Sequence, residues 1–199
     1  MLKVQHANKV VKGPYRCLVI SDIHSHLDLL KQLLKKVHYC QDDYLIIVGD
    51  FVEKEKITEI LKAAMNAPTA RNSQEWEFKV ITNRTALNNM VNLSCYMAMM
   101  QEAPCAILVI ANLDKAKNVE YGLINCAAAI ENMLIEAVNQ GLGSCWCGIA
   151  PVEQRIKNFK NYYHLKEHEY PVGVVALGYS NEDKPLIDRY DPKKVSYFE

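Results

Sequence analysis

The sequence predicts a mixed helix-and-strand chain in two unlike parts, a short β-α-β unit over residues 1–52 and a larger helix-and-strand domain over residues 53–199. Three observations carry this reading. Two strand-like runs, Arg16–Ile20 (RCLVI) and Tyr44–Val48 (YLIIV), flank a leucine stripe. Ala106–Ala111 (AILVIA) is apolar throughout, as a central strand is. Tyr121–Gln140 is a long Ala-rich segment of helical character that runs into Gly141, the residue type favoured just past a helix end.

The elements follow in order. Residues 1–14 are polar and irregular. Arg16–Ile20 reads as a buried strand. His26–Val37 places Leu27, Leu29, Leu30, Leu33 and Leu34 on one helical face, with Lys31, Lys35 and Lys36 opposite. Tyr44–Val48 is a second strand, and the β-α-β order favours a parallel pair. A new pattern begins near Glu53. Lys56–Met65 is amphipathic through Ile57, Ile60, Leu61 and Ala64, and Pro68 stops it. Glu77–Ile81 alternates as a strand does. Asn83–Gln101 reads as one helix through Leu87, Met90, Val91 and Leu93. After the Ala106–Ala111 strand and the long helix come a short helix, Pro151–Phe159, and a last strand, Val172–Gly178. The tail, Asn181–Glu199, is polar and irregular.

Composition narrows the function classes. Half of the 199 residues are hydrophobic and 23% are charged, as in globular proteins. Lys+Arg and Asp+Glu both number 23, so no basic surplus points to nucleic acid. No apolar run approaches a membrane span. Met1–Gly13 lacks a signal-peptide core, and seven cysteines, an odd number, fit a reducing cytoplasm better than a disulfide framework.

Two sets of residues carry possible chemistry. Asp22-Ile23-His24 follows the first strand and Gly49-Asp50 the second. Such placement lets Asp22 and His24 face one metal ion and lets Asp50 bridge to another, as paired metals that activate water require. These residues resemble the opening of the metallophosphoesterase family over residues 15–54. The later parts of that pattern are missing. Gly49-Asp50 continues as Phe51-Val52-Glu53 rather than Asp-Arg-Gly, and the downstream His164 and His168 lack the family's Gly-His-x-His context. Asp22, His24 and Asp50 therefore form an incomplete set, not expected to complete a metal centre, and the favoured reading is of exposed polar residues at the strand ends of a remnant βαβ unit.

The second set begins at Ala67-Pro68-Thr69-Ala70-Arg71-Asn72-Ser73-Gln74-Glu75-Trp76. A hydroxyl and two amides, at Thr69, Asn72 and Gln74, offer donors and acceptors to a heterocycle without charge. By itself this is an ordinary polar loop. Gly141-Leu142-Gly143-Ser144 follows the Ala-rich helix and reads as a glycine turn where a backbone can approach a ligand. Cys145 and Cys147 flank Trp146 as small apolar residues, since no second Cys or His pair supplies a zinc set. Lys184 and Arg189 in the tail suit a phosphate or plain solvation.

Together and in this order, the A-P-T-x-x-N-x-Q-x-W loop, the A-I-L-V-I-A strand, the Ala-rich helix with Glu131-Asn132-Met133-Leu134, the G-L-G-S-C-W turn and the A-L-G-Y strand end resemble the nitroreductase family over residues 53–199. The resemblance implies an α+β fold, a sheet flanked by helices, here with the N-terminal βαβ appendage. It implies FMN as cofactor, usually at the interface of an intertwined homodimer. It implies hydride transfer from NAD(P)H, through the flavin, to a nitroaromatic, quinone or similar acceptor. The family's flavin contacts fall on Pro68, Thr69, Asn72 and Gln74, on Leu142, Gly143 and Ser144, and on Arg189 with Lys184 at the phosphate. No protein acid or base is implied. One departure stands out: the chain has no Arg-Arg-Ser-type motif, whose arginines grip the FMN phosphate in that family. A metal-dependent phosphoesterase remnant and a non-catalytic chimera of the two families are the competing readings.

Overall fold

The computed structural model describes residues 17–21, 27–39, 43–48, 52–180 and 187–198. Strands β1 (Cys17–Ser21) and β2 (Tyr44–Val48) pair in parallel, from Cys17 against Tyr44 to Ser21 against Val48. Between them runs α1 (Leu27–Lys36). His38, at φ 52°, closes α1, with the Tyr39 N–H donating to the Leu34 carbonyl. The β-α-β expectation is met. Of the leucine stripe, Leu34 is buried and Leu33 is exposed.

The remaining strands form a separate four-stranded antiparallel sheet. They are β3 (Trp76–Ile81), β4 (Cys105–Asn112), β5 (Gly143–Gly148) and β6 (Glu169–Gly178), in spatial order β3-β4-β6-β5. The helices are α2 (Lys54–Met65), α3 (Arg84–Leu93), α4 (Val119–Asn139) and α5 (Glu153–Tyr162). This is an α+β arrangement.

Every residue of β4 is buried. Its side chains alternate between two apolar layers. Cys105, Ile107, Val109 and Ala111 pack with Ile60 of α2 and Ile130 and Met133 of α4. Ala106, Leu108 and Ile110 pack with Leu87 and Met90 of α3 and Phe159 of α5. Each fully buried Ile or Leu here contributes about 1.5–3 kcal/mol. The β4–β6 register passes from Val109↔Gly173 to Ile110↔Pro171, leaving Val172 unmatched as a bulge. Pro171, which has no N–H, is tolerated at such a break in the ladder. The Val172 carbonyl accepts from both Ile149 and Ala150 as the chain leaves β5.

The structure corrects two expectations. The segment 83–101 is not one helix. α3 ends at Leu93, Ser94 is extended at φ −159° and ψ 133°, and a separate 3-10 turn spans Ala98–Gln101. Arg84 holds that turn by donating to the carbonyls of Met100 and Ala103. After the break, Met97 and Met100 enter the α3/α5 layer. The glycine turn is also shorter than expected. Gly141 at φ 72° ends α4, with the Leu142 N–H donating to the Ala137 carbonyl, and Gly143 already begins edge strand β5 against Gly178. A second glycine is dictated by packing: a Cβ on Gly122 would lie 3.0 Å from the Ala111 Cβ, so α4 rests directly on β4 there.

Because Ile107 and Leu108 are neighbours that fill opposite layers, Ile107→Ala and Leu108→Ala should each cost about 2–5 kcal/mol in guanidinium unfolding. A loss under about 0.5 kcal/mol for either would show that its layer is not a packed core.

Candidate functional site

The loop ahead of β3 is shaped by its own hydrogen bonds. A 3-10 turn spans Ala70–Asn72. Arg71, Asn72 and Gln74 have φ of 59°, 55° and 46°, in the left-handed region that non-glycine residues seldom occupy. The turn is held by Asn72 N–H to the Thr69 carbonyl at 3.0 Å and Gln74 N–H to Thr69 Oγ1 at 3.1 Å. The consequence is that Asn72 and Gln74 are exposed while Ala67 is buried. Gln74 Nε2 donates to Asn72 Oδ1 at 3.1 Å, which leaves the Asn72 amide N–H groups and Gln74 Oε1 available to a ligand.

A buried polar brace lies beneath this loop. Glu75 is fully buried. Its carboxylate accepts from Ser73 Oγ and from Asn125 Nδ2, each at 2.6 Å, and its backbone carbonyl accepts from Asn112 N–H at 2.8 Å. Asn125 Oδ1 in turn accepts from the Ala70 N–H at 3.4 Å. One residue of α4 thus ties the loop to the sheet. Burial of a carboxylate is costly unless it is so satisfied. Burial, with the Glu75 charge adding, pushes the neighbouring Cys126 thiol up to about 12.

The second group sits at the start of β5. Leu142 is buried, and Gly143 and Ser144 are half-buried. The end of α4 behind them is fixed by Lys56, whose Nζ donates to the Gln140 carbonyl at 2.8 Å and to Tyr179 Oη at 2.9 Å. Tyr179 Oη lies 2.8 Å from both carboxylate oxygens of Glu53 and donates to that carboxylate. Partial burial raises the Tyr179 phenol above its usual range, with Glu53 raising it further and Lys56 opposing.

These two groups are not brought together within one chain. α2 and α4 run antiparallel: Lys56 meets Gln140 at one end, and the Ala63 carbonyl meets Asn132 Nδ2 further along. The loop Pro68–Gln74 enters β3 where Trp76 pairs Ala111 and Ala111 pairs Tyr170. Gly143 pairs Gly178, at the other end of β6. Eight residues of strand separate them, about 25 Å. Arg189 is exposed in the tail. Lys184 lies outside the described residues, as do Asp22, His24 and Asp50. Among the described residues no His/Cys/Asp/Glu group could hold a metal ion. Cys147 is buried, its thiol pushed up to about 12 by desolvation, in keeping with the apolar reading of that residue, whereas Cys145 is exposed.

The residues present fit a flavin's requirements in two halves. The loop offers uncharged amides on an outward-facing turn, and the β5 start offers small residues on a sheet edge. Sequence reasoning missed Glu75, Asn125, Lys56 and Tyr179. The available signal was the polar Asn125 inside the apolar run Ile124–Ile130 of α4.

Comparison with known proteins places these features in a family. The model described as "Nitroreductase family" matches residues 49–96 and 87–179. A "Putative NADH dehydrogenase/NAD(P)H nitroreductase" of Methanothermobacter thermautotrophicus is 34% identical over 144 residues, 72% of this chain and 75% of that one. A crystal structure described as "Putative NADH Oxidase" of Clostridium acetobutylicum aligns at TM-score 0.72 and 42% identity, covering 74% of this chain and 90% of the other. An "FMN-dependent Nitroreductase" of Clostridium difficile aligns at TM-score 0.68 and 28% identity, covering 73% and 88%.

Two outcomes test this description. Asn125→Ala leaves Glu75 short of a partner and should lower stability by about 1–3 kcal/mol, with faster amide exchange at Ala70; unchanged exchange there would remove the brace. Among the described thiols, exposed Cys95 and Cys145 should label with iodoacetamide in the native protein, whereas Cys105 and Cys126, both held near 12 by burial, should label only after unfolding.

Proposed function

The chain belongs to the nitroreductase family, and on that premise we propose that it is an FMN-dependent oxidoreductase that moves reducing equivalents from NAD(P)H to a small electrophilic acceptor such as a nitroaromatic or quinone. The observation that carries the proposal is the loop. Asn72 and Gln74 are held on left-handed backbone with amides turned outward, a costly conformation that the Thr69 bonds and the Glu75–Asn125 brace maintain. The relatives' descriptions support it, one as an NAD(P)H nitroreductase and one as FMN-dependent.

When bound, FMN supplies the hydride-accepting and hydride-donating chemistry. This chain's residues position it. Pro68, Thr69, Asn72 and Gln74 form one wall of the site. Leu142 anchors the β5 start, so that Gly143 and Ser144 lie against the cofactor without bulk. Arg189 would meet the phosphate, and Lys184, outside the described residues, is assigned to it by the family resemblance.

The two walls lie at opposite ends of one sheet, so the proposal includes a homodimer in which the loop of one protomer faces the β5 start of the other. Two surfaces support it. Tyr121, Ile124, Ile135 and Val138 form an exposed apolar stripe along α4. The tail exposes Ile187, Tyr190, Tyr197 and Phe198, a pattern suited to an arm laid on a neighbour. For residues 1–52 the phosphoesterase-like reading of Asp22, His24 and Asp50 stays a proposal of an incomplete site; the family match begins at residue 49 and does not speak for most of that stretch.

Purified protein with added FMN should become yellow, retain flavin through gel filtration, and sediment as a dimer. Ile135→Glu should shift it to monomer and release the flavin. A protein that emerges colourless from gel filtration after incubation with saturating FMN would overturn the proposal.

A further inference from the structure

Beside the loop lies a pocket of about 160 Å3 lined by Ala70, Arg71, Ser73, Lys115, Lys117 and Tyr121. Three of these six residues are cationic and none is acidic. Among the described residues, neither Arg71, Lys115 nor Lys117 forms an ion pair. Of the acids nearby, Glu120 in the first turn of α4 is exposed and does not line the pocket, and Asp114 and Glu75 are engaged elsewhere. Asp114 lies 3.3 Å from His168 Nδ1, and both oxygens of Glu75 are taken from below by Ser73 and Asn125. Lys117 Nζ lies 5.6 Å from the Tyr121 ring centroid, which holds its ammonium at the pocket wall. Arg71 is committed to this side by its place in the 3-10 turn. Lys117 and Tyr121 also bracket Asn118, the N-cap of α4, whose 21-residue dipole adds to the positive potential.

The protein has no overall positive charge to account for this cluster, since its acids and bases balance at 23 each. Three cations gathered around one hollow repel one another, and an anion relieves that repulsion. A guanidinium fork, two ammonium groups and a hydroxyl match a tetrahedral dianion better than a planar carboxylate.

We propose that this pocket is a subsite for a phosphate monoester dianion, held by Arg71, Lys115 and Lys117 with Tyr121 as the hydroxyl partner. The proposal rests on the flavin reading only for the source of the phosphate. That reading assigns the FMN phosphate to Arg189 and Lys184, which leaves the 2′-phosphate that distinguishes NADPH from NADH as the source for this pocket.

The test uses the full chain and the double variant Lys115→Gln/Lys117→Gln, in which both substituted residues are exposed and outside the loop's hydrogen bonds. Inorganic phosphate is the first probe, followed by 31P NMR line width. The wild type should give a saturable response, and the double variant should weaken it about tenfold or more, as the loss of charge-assisted contacts implies. Arg71→Asn, which keeps a residue tolerant of left-handed backbone, should weaken it similarly. FMN against riboflavin, and NADPH against NADH, are then titrated by fluorescence. The double variant should lose affinity for NADPH and not for NADH; a loss confined to FMN against riboflavin would overturn the 2′-phosphate assignment. An absent or non-saturable phosphate response in the wild type, or one the double variant leaves unchanged, overturns the subsite. If neither flavin binds either protein, the oxidoreductase reading fails, while the phosphate arm still decides the subsite.

Discussion

A strand with no exposed residue must be covered on both faces, and β4 imposes that requirement on everything around it. Its alternating side chains demand two apolar layers. One is supplied by α2 and α4, the other by α3 and α5. The antiparallel partners β3 and β6 are then fixed by register, and β5 is left as the edge beyond β6. Gly122 shows how tight the cover is. Where α4 crosses Ala111 there is no room for a side chain, so the helix, its cap and the loop it braces are located relative to the strand with little slack.

That placement explains why polar residues occur where they do. Glu75 and Asn125 sit under a loop whose backbone would otherwise relax out of the left-handed region. Their mutual bond satisfies two buried groups, and both also reach the loop, through Ser73 Oγ and the Ala70 N–H. Neither touches the proposed ligand. Their contribution is to hold Asn72 and Gln74 in the orientation from which amides can reach it, which is the work that supporting groups around a binding site perform. Lys56 acts similarly at the far end by holding the Gln140 carbonyl, one of the carbonyls a helix end leaves without an intrahelical partner.

Much of this was legible in the sequence. The continuous apolar run of β4, the helix ended by Gly141 and the parallel β1–β2 pair were all readable, because hydrophobic period and turn chemistry act locally. The break after α3 was not. Met97 and Met100 are as compatible with a helix as with the 3-10 turn that buries them, and the decision is made by the α5 layer and by Arg84, 16 and 19 residues from the carbonyls it meets. Strand β5 was hidden for a similar reason. Gly143-Ser144-Cys145-Trp146-Cys147-Gly148 has little strand propensity, and its pairing partner lies about thirty residues onward in β6. The loop's polar residues were visible as candidates. That they stand about 25 Å from the β5 start was not, because distance along a strand is a property of register, and register is set by contacts remote in sequence.

The antiparallel packing of α2 on α4 has a mechanical consequence. α4 is a rod about 30 Å long, and it carries the brace for the loop near one end and the launch point of β5 at the other. The two halves of the proposed site are therefore two ends of one strut. A displacement of α4 along its axis cannot tighten one end without moving the other. Geometric error at the two walls is shared rather than independent, and a substitution midway along the helix, touching neither wall, would detune both.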